Sequence, residues 1–309
     1  MRRAGRLGGG PRRFLDSGPV LKLVLPKGSL EKATLELFEA ADLPVRRSSS
    51  VDYKATIDDP RVIDVRILRP QEIPSYVEEG LFDVGITGRD WVEETSSDVV
   101  SLGELKYSKA TSLPIKVVVA VAGDSPVQQV SDLPQGLRVS TEYPELTKRF
   151  FAERGIEARI KLSYGASEAK IPDIADCIVD ITETGRALRA AGLRIIDEIM
   201  TSYTEVVANK AACADPAKRH AMNQLMTLLN GTLEARGKVL LKLNVGQDDY
   251  EGVLAKLPSL RSPTVSKLAD GGYAVETVVE KRSINVLIPA LKEAGASGIL
   301  ELPIAKIVH

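Results

Sequence analysis

Residues 176–188 read Asp-Cys-Ile-Val-Asp-Ile-Thr-Glu-Thr-Gly-Arg-Ala-Leu and concentrate side chains that can do chemistry. If residues 176–181 form a strand, its period of two puts Asp176, Ile178 and Asp180 on one face. Thr182, Thr184 and Gly185 then fall where a helix begins, offering hydroxyls and backbone N–H groups to an anion. The carboxylates suit ribose hydroxyls or a magnesium ion, and the turn suits a phosphate. That combination is the chemistry of a ribose 5-phosphate site. A buried strand followed by a Thr-capped helix would use the same residues without any ligand. The rest of the chain separates these two readings.

The elements that would position such a site alternate along the chain. Residues 21–25 read as a strand, 26–29 as a turn, and 30–41 as a helix with Leu30, Ala33, Leu37 and Ala41 at helical spacing. Strands at 62–68 and 82–86 flank a helix at 70–80 that Gly80 closes. This βαβαβ order predicts a mostly parallel sheet with helices on both faces. Strands at 114–122, 136–140, 158–163 and 176–181, with a helix at 144–154 opened by Pro144, form a second α/β unit. Two such units predict two lobes with a cleft, and ligands of open parallel sheets bind outside the carboxyl ends of strands. The turns after Leu25, Leu68, Ile86 and Ile181 all lie at such ends.

A helix from Asp215 to about Arg236 then changes the pattern. Strands at 239–245, 264–268, 273–279 and 299–308, with helices at 248–257 and 283–294, give the βαββαβ order of a ferredoxin-like unit. The expected domains are a disordered Arg/Gly-rich tail (1–19), lobe I (20–112 and 196–212) and lobe II (113–195). A connecting helix (213–237) and a C-terminal domain (238–309) complete the chain.

Composition excludes several functions. The 309 residues carry a formal net charge of -1, against the basic excess of a nucleic-acid binder. No apolar run approaches the roughly 20 residues that cross a bilayer, and residues 1–19 lack the apolar core of a secretory signal. Cys177 and Cys213 are too few for a disulfide framework and suit a reducing cytoplasm. With only His220 and His309, the composition argues against a His-dependent triad or a His-rich zinc site. The chemistry must run on carboxylates, cations and backbone dipoles.

Several turns agree on one family. Residues 21–30 read Leu-Lys-Leu-Val-Leu-Pro-Lys-Gly-Ser-Leu, 67–70 Ile-Leu-Arg-Pro and 85–90 Gly-Ile-Thr-Gly-Arg-Asp. With Gly165-Ala-Ser-Glu168, the 176–185 segment, Ser262-Pro-Thr-Val265 and Leu268-Ala-Asp270, they resemble ATP phosphoribosyltransferase in its long form with a C-terminal regulatory domain. That family carries out the first step of L-histidine biosynthesis. The resemblance covers residues 20–308 and implies that adenine N1 of ATP displaces pyrophosphate from C1 of phosphoribosyl pyrophosphate. It implies a periplasmic-binding-protein-like catalytic body, Mg²⁺ as cofactor, and L-histidine and AMP as inhibitors. It also implies a homo-oligomer of dimers assembling to hexamers, in the cytoplasm, with no nucleic acid or membrane as partner.

By the same resemblance, Asp180, Thr182, Glu183, Thr184, Gly185, Arg186 and Ala187 would hold phosphoribosyl pyrophosphate, with Asp176 and Asp180 at the ribose or metal. Lys27 and Arg69 would be catalytic cations at the pyrophosphate and ATP phosphates, and Asp90 and Trp91 would meet adenine. Asn244, Thr264, Leu268 and Ala274 would form an allosteric histidine pocket, while Glu142 and Glu168 match family positions without an evident role.

Two departures from the family pattern carry consequences. Glu183 would repel a phosphate unless its side chain points away or meets Arg186, and Ala187 removes a hydroxyl. Val51 stands where relatives place an arginine, for which Arg46 or Arg47 could substitute. A solute-binding protein shares the two-lobed plan but carries an export signal. A ligand-sensing transcription factor needs an N-terminal helix-turn-helix.

Overall fold

The computed structural model describes residues 21–309 apart from 50, 109–112, 166, 259–261 and 270; the Arg/Gly-rich segment 1–19 lies outside the described residues. The chain divides into two compact units, at Met226 and Thr227.

The first unit begins with β1 (Leu21–Pro26), α1 (Glu31–Ala40), β2 (Val45–Arg46), β3 (Lys54–Ile57), β4 (Val62–Leu68) and α2 (Ile73–Glu78). It continues through β5 (Val84–Gly88), α3 (Arg89–Thr95), β6 (Val100–Leu105), β7 (Ile115–Ala122) and β8 (Leu137–Thr141). After these come α4 (Pro144–Glu153), β9 (Ala158–Leu162), β10 (Cys177–Thr182), α5 (Arg186–Ala190), β11 (Leu193–Ser202), β12 (Thr204–Ala208) and α6 (Lys210–Ala214). The division between units falls within α7 (Pro216–Ala235).

Two sheets build this unit. Lobe I has the strand order β2-β3-β4-β1-β5-β12-β6, and lobe II the order β11-β7-β10-β8-β9. Neither is mostly parallel. β12 runs antiparallel to β5 and β6, and β7 runs antiparallel to β10 and β11. The chain crosses between lobes twice, from β6 to β7 and at Tyr203, between β11 and β12. β11 therefore stays in lobe II through Ser202, so the return to lobe I falls at 203 and not at 196.

Valine and isoleucine runs explain both central strands. In lobe II, Val117, Val119, Val121, Val139, Cys177 and Val179 pack with Phe150 and Phe151 of α4 on one face. Val118, Ala120 and Ile178 pack with Leu188 and Leu193 on the other. A sheet covered on both faces gives such near-continuous apolar strands. Lobe I buries Val24, Ile73, Val77, Phe82 and Val207 in the same way.

The second unit adds β13 (Lys238–Val245), α8 (Tyr250–Leu254), β14 (Thr264–Lys267), β15 (Tyr273–Glu280), α9 (Ile284–Glu293) and β16 (Ser297–Pro303). Its sheet order is β14-β15-β13-β16, every pair antiparallel. Leu241, Leu243, Val275 and Val279 pack with Leu287 and Leu291 of α9. The alternate positions of β13, among them Lys242 and Asn244, form the other face.

Candidate active site

The carboxyl ends of β1, β4, β5 and β10 carry the residues singled out in the sequence. After β10, Gly185 takes φ +71°, a conformation that glycine adopts without steric cost. The Thr182 hydroxyl accepts the Gly185 N–H at 2.8 Å, closing the turn. Arg189, one turn into α5, donates to the Thr184 carbonyl at 2.8 Å. A Cβ on Gly185 would come within 2.6 Å of Arg189 Nη1, so the guanidinium packs directly over the glycine. No acidic side chain occupies the first turn of α5, and amides there have no intrahelical acceptor.

A cavity of about 750 Å³ opens on this turn. Thr182, Glu183, Thr184, Arg186 and Ala187 line it from lobe II, and Ser29, Pro70, Asp90 and Trp91 from lobe I. Glu183, the residue that threatened to repel a phosphate, accepts from the Ser108 hydroxyl at 2.7 Å. Its oxygen is held by a residue of the crossover between the lobes.

Lys27 and Arg69 do not line the cavity, but their near neighbours in the chain, Ser29 and Pro70, do. The Lys27 N–H donates to the Leu68 carbonyl at 2.6 Å, tying the two turns together. Lys27 Nζ lies 4.0 Å from the Tyr53 ring centroid, a cation–π contact. Val51 is exposed, while Arg47 pairs with Glu31 at 2.8 Å, and Glu31 also accepts the Gly28 N–H at 3.3 Å. Arg47 thus reaches the Lys27 turn through Glu31, and Arg46 stays exposed on β2.

Two expectations need correction. Asp176 precedes β10, at the end opposite the phosphate turn, six residues and about 20 Å of strand away. Its carboxylate takes the Arg138 N–H at 2.7 Å and Nη2 at 2.6 Å, and that hydrogen-bonded guanidinium holds its pKa below the usual carboxylate range. It cannot join Asp180 at a metal or a ribose. Asp180 is half-buried beside the turn, its Oδ1 accepting the Ile181 N–H at 2.7 Å.

Asp90 is the second correction. It reaches the cavity but is only 1% exposed, and both carboxylate oxygens already have donors. Oδ2 accepts from the Tyr143 hydroxyl and Oδ1 from the Ser202 hydroxyl, both at 2.6 Å. Burial raises the Asp90 pKa, and burial beside this carboxylate raises that of Tyr143 well above ordinary phenol values. Trp91 stacks on Tyr143 with ring centroids 4.4 Å apart, forming an aromatic wall of the cavity. Tyr143, Ser202, Arg189 and Ser108 were not anticipated. Tyr143 follows β8, so the strand-end rule that found the other turns could have found it too.

Glu142 accepts the Gly165 N–H at 3.0 Å; the side chain of Glu168 lies outside the described ones. Burial pushes the Cys177 thiol up to about 12, which disqualifies it as a nucleophile at neutral pH.

In the second unit, Asn244 pairs in register with Ala274, and Leu268 closes the β14–β15 hairpin by donating to the Gly272 carbonyl at 2.8 Å. Thr264 pairs with Glu276, two positions along β15 from Ala274. A separate cavity of about 480 Å³ is lined by Thr264, Glu276, Lys238 and Glu234, but not by Asn244, Leu268 or Ala274.

A two-lobed α/β body with an amide-and-hydroxyl turn at a strand's carboxyl end belongs to the class of proteins built to hold an anionic ligand between two lobes. Comparison with known proteins narrows the class. The ATP phosphoribosyltransferase (HisG) family model matches residues 69–231, and the HisG C-terminal domain model matches residues 235–306. The ATP phosphoribosyltransferase of Pelotomaculum thermopropionicum is 46% identical over 291 residues, covering 93% of this chain and 99% of that protein. That of Nitratidesulfovibrio vulgaris (strain DP4) is 47% identical over 290 residues, covering 93% and 98%. A solved chain of the ATP phosphoribosyl transferase (HisG:HisZ) complex from Thermotoga maritima superposes with a TM-score of 0.59 at 28% identity, over 70% of this chain and 99% of that one. The chain belongs to the ATP phosphoribosyltransferase family, glycosyltransferases of the first step of histidine biosynthesis.

Proposed function

We propose that the cavity between the lobes transfers the 5-phosphoribosyl group from phosphoribosyl pyrophosphate to N1 of ATP, with the work divided between the lobes. The observation that carries this reading is the single cavity that joins the Gly185 turn of lobe II to the Trp91 wall of lobe I. The lobe II turn holds the 5-phosphate through its amides, Thr182 and Thr184, with Arg186 and Arg189 adding positive charge. Asp180 faces the ribose. Lys27 and Arg69 of lobe I offset the charge of pyrophosphate and of the ATP phosphates. Adenine lies against Trp91, and its N6 cannot take the Asp90 oxygens unless Tyr143 or Ser202 lets go. Preorganised dipoles and cations stabilise the oxocarbenium-like centre and the departing charge, so no covalent nucleophile is needed.

The family uses a divalent metal, and we assign Mg²⁺. Among the described residues no three His, Cys, Asp or Glu side chains gather to hold an ion. One carboxylate, Asp180, beside a phosphate site fits Mg²⁺, which is bound through one or two carboxylates plus substrate phosphates. When bound, the ion would neutralise charge on the leaving pyrophosphate.

Asn244, Ala274, Leu268 and Thr264 are proposed as the L-histidine pocket, AMP as a competitor at the ATP site, and dimers assembling to hexamers as the functional form. As a biosynthetic enzyme the protein works in the cytoplasm. The test mixes the protein with ATP, phosphoribosyl pyrophosphate and Mg²⁺ and follows the ultraviolet change of N1-ribosylated adenine. Product with ATP and none with orotate or nicotinate is the expected result; the reverse would overturn the reading.

A further inference from the structure

Asp90 joins three elements that sequence order keeps far apart. It lies in the first turn of α3 in lobe I; Tyr143 stands at the start of α4 in lobe II; Ser202 ends β11, one residue before the crossover. The Ser202 hydroxyl donates to Asp90 Oδ1 and accepts the Asp90 N–H at 2.9 Å. At that crossover the Arg89 N–H donates to the Tyr203 carbonyl at 3.0 Å. One turn further along α3, Glu94 accepts the N–H groups of Glu145 and Leu146, at 3.0 and 2.8 Å, and so caps α4. Arg149 of α4 returns the contact, donating to Ser96 Oγ at 2.8 Å.

A buried carboxylate is costly to strip of its hydrogen-bond partners. Here its partners belong to the opposite lobe and to the crossover, so any opening of the cavity at this point must break them. We infer that Tyr143 is a positioning residue that, through Asp90 and the stacked Trp91 ring, locks the lobes at the separation at which the two bound substrates can react. The inference rests on the proposed division of the substrates between the lobes. If each lobe holds its own substrate, the lock contributes to the step that needs both, and leaves the binding of either one alone unchanged.

The experiment uses the full chain and the variants Tyr143→Phe and Asp90→Ala, singly and together; either one removes the hydrogen bond between Tyr143 and Asp90. Tyr143→Phe keeps the ring on Trp91 and deletes only the hydroxyl. Steady-state kcat is measured beside calorimetric dissociation constants for ATP alone and for phosphoribosyl pyrophosphate with Mg²⁺ alone. Each single variant is expected to lower kcat by about ten-fold or more, with both dissociation constants within about two-fold of the parent. The double variant is expected to lose no more than the worse single one, because both cut the same bond. An unchanged kcat, losses that multiply, or a loss matched by weaker binding of one substrate would overturn the inference. Should Tyr143→Phe fail to fold, Arg149→Ala decides: a lower kcat with unchanged dissociation constants supports the lock, and an unchanged kcat sinks it. Gly185→Ala serves as the control on the division of substrates; if it leaves phosphoribosyl pyrophosphate binding intact, the site assignment fails and not the lock.

Discussion

The tripeptide Thr-Gly-Arg occurs at two strand-to-helix turns of the same unit, at 87–89 in lobe I and 184–186 in lobe II, with opposite outcomes. Gly88 is extended (φ −86°, ψ 147°), whereas Gly185 is left-handed (φ +71°). The residue after the tripeptide decides what the helix start can do. Asp90 folds its carboxylate back over its own turn, close enough that a Cβ on Gly88 would collide with it. That turn carries its own anion. In lobe II the equivalent position is Ala187, which cannot supply one, and the Gly185 and Arg186 N–H groups instead meet the neutral hydroxyls of Thr182 and Thr184, at 2.8 and 3.4 Å. Two nearly identical turns thus divide into one that carries an internal carboxylate and one that does not, the latter being the proposed phosphate site.

Breaking the closed turn should have the largest effect. Asp90→Ala strands the hydroxyls of Tyr143 and Ser202, and is expected to cost about 2–4 kcal/mol of stability, read from urea midpoints. The same carboxyl gives the pH dependence its sign. Its folded pKa is raised by burial, so its contribution is complete below the unfolded value of about 3.9 and is lost as pH rises through the raised one. In Asp90→Asn that decline should vanish, as stability curves across pH will show.

Deforming the open turn comes next. Gly185→Ala forces alanine into the left-handed region, at about 1–2 kcal/mol, and displaces Arg189. We expect kcat/KM for phosphoribosyl pyrophosphate to fall roughly ten- to hundred-fold.

Ala187→Asp tests the comparison most directly, because it copies the lobe I residue into lobe II. An internal carboxylate should compete for the amides and raise KM for phosphoribosyl pyrophosphate about ten-fold, with melting unchanged or slightly higher. An unaltered KM would mean that Ala187 is not what keeps the turn open.

Asp176→Asn should do least. Its pair with Arg138 is partly solvent-exposed, so the loss is about 1 kcal/mol or less, and turnover should match the parent enzyme. The depressed pKa of Asp176 means that this contribution is present above about pH 3.9 and is lost as pH falls through the lower folded value. A large fall in kcat would return Asp176 to the catalytic site.

Much of this architecture could be read from local pattern. The apolar runs of β1, β4, β7 and β10, Pro144 at the start of α4, and Gly185 in a hydroxyl-rich turn each carry their signal within a few residues. Five strands escaped. β2 and β3 are short and lie in a polar stretch, and β6 contains Gly103. β12 follows β11 after one residue, so the pair shows no turn signal between the lobes. β11 has two register shifts, between Ile195 and Asp197 and between Glu198 and Met200, which destroy the alternation that marks a strand.

The sequence by itself determined the elements and the chemistry available at their ends, because backbone preference and apolar periodicity act over a few residues. It could not say which of two Thr-Gly-Arg turns is open, that Asp176 belongs to Arg138, or that Glu183 turns to Ser108. Those outcomes depend on partners 38 to 112 positions away. Only folding brings such groups within hydrogen-bonding distance and removes the water that would otherwise satisfy them.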